Sequence, residues 1–99
     1  MPKVTRIGDS FATGHGCTGT STIAEGSGNV FANNISVSRK TDNSVPHTIN
    51  QGPNCVNHVV PIVGGSGSVF VNNLRIARIG DAIDNGAITS GSPNVYAGD

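Results

Sequence analysis

Charge is scarce in this chain: only 12% of the 99 residues are Asp, Glu, Lys or Arg, and six cations balance six anions. A nucleic-acid binder needs a basic footprint, so zero formal charge argues against that class. Aromatics are scarcer still, at 4% with no tryptophan. No run approaches the roughly 18 apolar residues of a membrane-spanning helix, so no stable membrane insertion is expected. The start, Met1-Pro2-Lys3-Val4-Thr5, lacks the apolar segment of a signal peptide. Synthesis in a cytoplasm without such a peptide is therefore expected, with exit from the cell only by lysis or through a dedicated machine. Two cysteines are too few for a disulfide framework; free thiols or metal ligands are the expectation for a reducing compartment, with a Cys17–Cys55 disulfide as the alternative. No glycine-rich phosphate loop, His-Glu-x-x-His or Gly-x-Ser-x-Gly is present. No catalytic residue is expected.

What fills the chain is glycine (14 residues), serine, threonine and asparagine. Low hydrophobicity with high net charge would mean disorder, but the charge here is zero. Short strands and many tight turns are the better reading, in a single all-β domain over residues 1–99. A core this small needs a staple such as a disulfide, a metal or a partner.

An internal repeat carries the fold. Gly26-Ser27-Gly28-Asn29-Val30-Phe31-Ala32-Asn33-Asn34-Ile35-Ser36-Val37-Ser38-Arg39 recurs from Gly65 to Arg78, and a third copy begins at Gly91-Ser92-Pro93-Asn94-Val95-Tyr96-Ala97. Its second half stands at the other end of the chain, as Pro2-Lys3-Val4-Thr5-Arg6. Each copy predicts a β-hairpin with a type I′ turn at Asn33-Asn34 or Asn72-Asn73, because asparagine tolerates positive φ. That register puts Val30, Ala32, Ile35 and Val37 on one face, and Val69, Val71, Leu74 and Ile76 on the equivalent one. These valines and isoleucines, together with the phenylalanines, are the expected core. The split third copy predicts circular closure, with Pro2 to Arg6 pairing the strand around Val95-Tyr96-Ala97. Asp9, Asp42 and Asp81 follow the three arginines at a fixed offset of three. Recurrence in every copy favours turn chemistry over acid-base work.

From each Arg to the next Gly-Ser the offsets are 20, 26 and 13 residues. The two long connectors hold every histidine and cysteine. Inserted segments of a repeat map to one side of the scaffold, so His15, Cys17, His47, Cys55 and His58 are expected to gather at one end. Imidazole and thiolate suit tetrahedral zinc. The spacing of Cys55 and His58 predicts convergence from a tight loop, with His47 folded back across Gly52-Pro53. The preferred ligand set is His15, His47, Cys55 and His58, with Cys17 as the fallback. Four protein ligands would close the site and make the ion structural.

With these residues in view the chain resembles the PAAR-repeat proteins. The resemblance rests on the three hairpins, the Arg-Ile-Gly-Asp turns, the Val-Phe-x-Asn-Asn strands and the His/Cys loops, and it covers nearly the whole chain. It departs at the eponymous Pro-Ala-Ala-Arg, replaced by Lys3-Val4-Thr5-Arg6, Ser36-Val37-Ser38-Arg39 and Arg75-Ile76-Ala77-Arg78. Asn-Asn also replaces Asn-Gly at both turns, and Lys40-Thr41 replaces Ile-Gly in the middle repeat.

The resemblance implies a conical, pseudo-threefold domain with a metal at its apex, held by His15, His47, Cys55 and His58, with zinc expected and iron as the alternative. It implies a non-enzymatic tip seated, one chain per trimer, on the blunt end of a trimeric β-helical spike. That tip would help the spike pierce a target cell envelope, in a phage tail or baseplate. The alternative setting is a type VI secretion system, where such a tip acts as an effector adaptor. With the chain stopping at Asp99, no effector domain is expected. Less favoured are a small zinc-binding interaction module and a metallohydrolase.

Overall fold

A computed structural model describes residues 1–98; the expectation attached to Asp99 lies outside them. Ten short strands pair into five antiparallel hairpins, and there is no helix among the described residues. β1 (Ser10–Ala12) pairs with β2 (Thr20–Thr22), β3 (Phe31–Ala32) with β4 (Ile35–Ser36), and β5 (His47–Gln51) with β6 (Asn54–His58). β7 (Phe70–Val71) pairs with β8 (Leu74–Arg75), and β9 (Ala82–Ile83) with β10 (Gly86–Ala87).

The repeat hairpins take the register their asparagines predict. Ala32 faces Ile35 and Phe31 faces Ser36, as Val71 faces Leu74 and Phe70 faces Arg75. Asn33, Asn34, Asn72 and Asn73 all have φ between 55° and 66°. The third hairpin is assembled from both ends of the chain: Lys3 bridges Tyr96, the Val4 amide donates to the Val95 carbonyl, and the Ala97 amide donates to the Pro2 carbonyl.

These three hairpins are wound around an axis. Bridges run Arg6 to Val37, Arg39 to Ile76 and Arg78 to Val4, returning to the start. At the centre, three buried residues form a closed triangle of backbone hydrogen bonds, in which Thr5 donates to Ala77, Ala77 to Ser38 and Ser38 to Thr5, each at 3.0 Å. On one side of the triangle lies a core of Val4, Val37 and Ile76 with Ala32, Val71 and Ala97. On the other side Phe11, Ile23, Ile62, Ala77, Ile83 and Ile88 form a second core. Bridges from Phe11 to Ile88, Ile23 to Ser44 and Ile62 to Ile83 repeat the cyclic pattern there. The extents of 41 × 23 × 23 Å, with equal cross-sections, fit a body wound around its long axis.

Two expectations need correction. Phe31 and Phe70 are not core: they are 56% and 53% exposed, because their strand positions point away from the axis. Val30 and Ile35 share the apolar face but remain 37% and 38% exposed. The three Arg/Asp pairs are structural, as their recurrence suggests. In each, the Asp carboxylate accepts from the Arg backbone amide and from its guanidinium. The departure Lys40-Thr41 has a local cost. Thr41 adopts φ 82° where the equivalent Gly8 and Gly80 adopt 90° and 93°, a region that disfavours a β-branched residue.

Candidate metal centre

All three connectors converge beyond the second core. The first forms β1, a loop and β2, and its loop carries His15. The second forms β5 and β6, where His47 and His58 face each other across the ladder. Phe11 contacts the His47 ring edge-on at 5.7 Å, so His47 lies directly against that core. The third and shortest connector turns at Asp84-Asn85 between β9 and β10, with Asp84 at φ 57°. Close approach to the first connector requires glycine: a Cβ on Gly14 would lie 2.2 Å from the Asn85 carbonyl oxygen. The Asn85 amide also donates to the Thr13 carbonyl.

His15, His47 and His58 come together, and the fourth member of the group is Asp84. One donor atom from each lies within 4.8 Å of every other. His15 Nε2 is 2.6 Å and His47 Nε2 3.0 Å from Asp84 Oδ2, and His58 Nε2 is 3.2 Å from Oδ1. The side chains of His15, His47 and Asp84 are at most 5% exposed, and that of His58 is 23% exposed.

Cys55, expected as the fourth ligand, is instead bonded to Cys17, giving a disulfide with a Cα separation of 5.9 Å. The reason is strand parity. Residues 54–58 form β6 rather than a loop, and successive strand residues point to opposite faces. His58 pairs with His47, whereas Cys55 pairs with Asn50. An odd offset of three therefore turns the Cys55 side chain to the opposite face from His58. Cys17, the fallback ligand, is consumed by the same bond.

The hydrogen bonding of the imidazoles tests whether a cation fits. His15 Nδ1 is 2.9 Å from the Gly16 carbonyl and His47 Nδ1 is 3.0 Å from the Val45 carbonyl. A carbonyl oxygen only accepts, so each Nδ1 carries its proton. A neutral ring then presents the bare Nε2 lone pair, and both lone pairs face a carboxylate. Either a proton sits on each Nε2 or a cation lies between them. Protons would make two stacked imidazoliums, with ring centroids 5.5 Å apart and planes 7° from parallel. One divalent ion satisfies all the donors without that repulsion. Backbone carbonyls on Nδ1 are also how ligating histidines are commonly held in one tautomer.

Without an ion, the carboxylate and the imidazoles stabilise one another's charged forms. Burial pushes the Asp84 carboxyl up, but hydrogen bonds from His47, His58 and His15 outweigh it and hold the group below the usual carboxylate range. The Gly16 carbonyl, and after it Asp84, raise the His15 imidazole above its ordinary value against the opposing effect of burial. Asp84 escapes a search for histidine and cysteine spacing. Its signal is the Asp84-Asn85-Gly86 turn at the tip of a connector that must reach the same end as the other two.

A single chain wound threefold, with three strand-built hairpins at one end and a histidine-carboxylate group at the other, defines a small all-β domain. The PAAR motif family model matches residues 13–89, and the chain belongs to that family. The family is one of structural spike-tip domains of contractile injection systems, and metal binding is general within it. Among curated proteins no match is found. No helix of the described residues is long and apolar enough to cross a membrane.

Proposed function

We propose that this protein is the metal-stapled point of an injection spike, capping the blunt end of a trimeric β-helical partner with one chain per trimer and helping it pierce a cell envelope. The observation that carries the reading is the set of three equivalent outer strand edges. The amides of Val37, Ile76 and Val4 donate to the carbonyls of Val30, Val69 and Val95. Antiparallel alternation then aims the peptide groups of Phe31, Phe70 and Tyr96 away from their hairpin partners. Three such edges about one axis are what three strands of a trimer's last turn need in order to continue the ladder, and partners of matched symmetry bind equivalently. The exposed Phe31, Phe70 and Tyr96 side chains, each about half exposed, supply apolar surface beside each edge.

At the other end, the proposed ligands are His15, His47, His58 and Asp84, and the proposed ion is zinc, with iron the alternative for a nitrogen/oxygen donor set. When bound, the ion would cross-link the three connectors beyond the second core. Four protein donors close the site, so its role is structural. The same geometry serves a phage tail or a type VI apparatus, and the identity of the spike distinguishes them.

Native mass spectrometry of the protein mixed with a trimeric β-helical spike tests the capping role. One chain per trimer is expected. Phe31→Pro with Phe70→Pro removes two outward amides that make no bond within the hairpins, so binding should fall while the fold persists. A ratio of three per trimer, or undiminished binding by the folded double variant, would refute the proposed face.

A further inference from the structure

We propose that the Cys17–Cys55 disulfide is a redox latch on the histidine-carboxylate centre. Reduced, it leaves the His15 loop free to open and admit the ion; oxidised, it locks the loop shut. The proposal deepens the metal reading above and rests on His15 being one of the donors.

The His15 loop belongs to the first connector, whereas His47 and His58 belong to the second. Cys17 stands two residues after His15, and its bond to Cys55 ties that loop to β6. Besides the ring contacts of His15 with His47 and His58 and a bond from the Thr48 amide to the Thr18 hydroxyl at 3.1 Å, the other ties between these segments are also neutral hydrogen bonds. The Thr18 amide donates to the Thr48 carbonyl at 3.1 Å, the Thr18 and Thr48 hydroxyls meet at 2.7 Å, and the Gly16 amide donates to Asn50 Oδ1 at 3.1 Å. Cys17 adopts φ 70°, a left-handed conformation that a non-glycine residue holds only when its surroundings impose it. Releasing the sulfur removes one of those constraints. The neighbouring segment then regains its freedom at the residue that delivers the His15 imidazole.

Both cysteines are solvent-exposed, so small thiols and disulfides can reach them. Closure proceeds by exchange with a low-molecular-weight disulfide such as oxidised glutathione. One cysteine thiolate attacks a sulfur of that disulfide and displaces a thiol. The other thiolate then attacks the protein sulfur of the mixed disulfide and displaces the second thiol. The protein loses two electrons and two protons, and the reagent becomes two thiols. A reducing cytosol keeps the latch open while the chain folds, and an oxidising exterior closes it.

The full chain, loaded with zinc, is compared in three forms: oxidised, reduced with tris(2-carboxyethyl)phosphine, and as the Cys17→Ser/Cys55→Ser variant. Zinc release to a chromogenic chelator should be at least tenfold faster in the last two. Amide exchange of residues 14–19 should accelerate with it to a rate well above that of the axial amides of Thr5, Ser38 and Ala77 in the same form, which open only with the whole domain. Equal release and equal exchange in all three forms would overturn the latch. In the reduced form and the variant, exchange of residues 14–19 no faster than that of the axial triangle would also overturn it, by making the disulfide a global brace alone. Failure of every form to take zinc would sink the metal reading instead, while loop exchange in the metal-free protein still decides whether the latch exists.

Discussion

Replacing Asp84 by Asn separates the two candidate fourth ligands. The substitution keeps the shape of the side chain and its place in the turn between β9 and β10, but removes the charge that three imidazoles face. Loss of a partner that merely orients a ligand costs about 10–100-fold in metal affinity. Loss of a charged donor should therefore exceed about 100-fold, or about 3 kcal/mol. Cys55→Ser should behave in the opposite way. It opens a disulfide spanning 38 residues, for which the chain-entropy argument gives about 4 kcal/mol. For a domain of this size that is about 15–30 °C in melting temperature. Zinc content at saturation should stay at one per chain. The assay is elemental analysis after dialysis against a graded chelator series, paired with thermal melts of the same samples. If Asp84→Asn binds zinc like the native protein while Cys55→Ser loses it, the thiolate is the ligand and the assignment to Asp84 is wrong.

The remaining predictions concern the metal-free protein, one turn and the ring closure. In metal-free protein the raised His15 contributes stability that is full below about pH 6.5 and is lost as pH rises through its folded value. The lowered Asp84 contributes stability present above about pH 3.8 and lost as pH falls through its folded value. Metal-free protein should therefore melt at a lower temperature at pH 8 than at pH 5.5. Zinc-loaded protein should show the reverse, because acid protonates the histidine donors; the same ordering in both forms would contradict the centre. Thr41→Gly relieves a left-handed β-branched residue and should stabilise by about 1 kcal/mol, read as a rise in denaturant midpoint at constant slope. An unchanged or lower midpoint would show that Thr41 is not strained. Deleting residues 94–99 removes the Val95 and Ala97 backbone bonds and their side chains, worth about 3–5 kcal/mol together. Urea unfolding of the truncated protein with an unchanged midpoint would refute closure through both ends.

The sequence made the hairpins legible because two copies constrain each other. A register that leaves one face apolar at both Asn33-Asn34 and Asn72-Asn73 has no competitor one residue away. The cyclic closure was legible for a related reason, since Lys3-Val4-Thr5-Arg6 carries the missing half of the copy that begins at Gly91. The centre was only partly legible. His15, His47 and His58 were flagged by confinement to the long connectors. Reading Cys55 as their companion treated residues 54–58 as a loop, where any spacing can converge, although they form a strand, where an odd spacing cannot. Asp84 was obscured because a single aspartate in an Asp-Asn-Gly turn is ordinary turn chemistry. What sets it apart is its tertiary position, which no local pattern encodes. The exposure of Phe31 and Phe70 was hidden for the opposite reason. The register already turned both away from the apolar face, but the expectation that aromatics pack inward put them in the core, and the assembled ring leaves that outer side uncovered.

The closed triangle of Thr5, Ser38 and Ala77 shows that one polypeptide here does the geometric work of a trimer. Three identical subunits around an axis must offer ligands in multiples of three, so a tetrahedral centre on that axis always leaves one position to solvent or to a foreign group. A single gene with three diverged repeats escapes that rule. One connector contributes His15, the next contributes both His47 and His58, and the last contributes Asp84. At one end the body stays close to threefold. At the other end it is asymmetric enough to offer three donors of one kind and one of another. Fusing the repeats into one chain is thus what lets three histidines and one aspartate meet at one end of a body wound threefold.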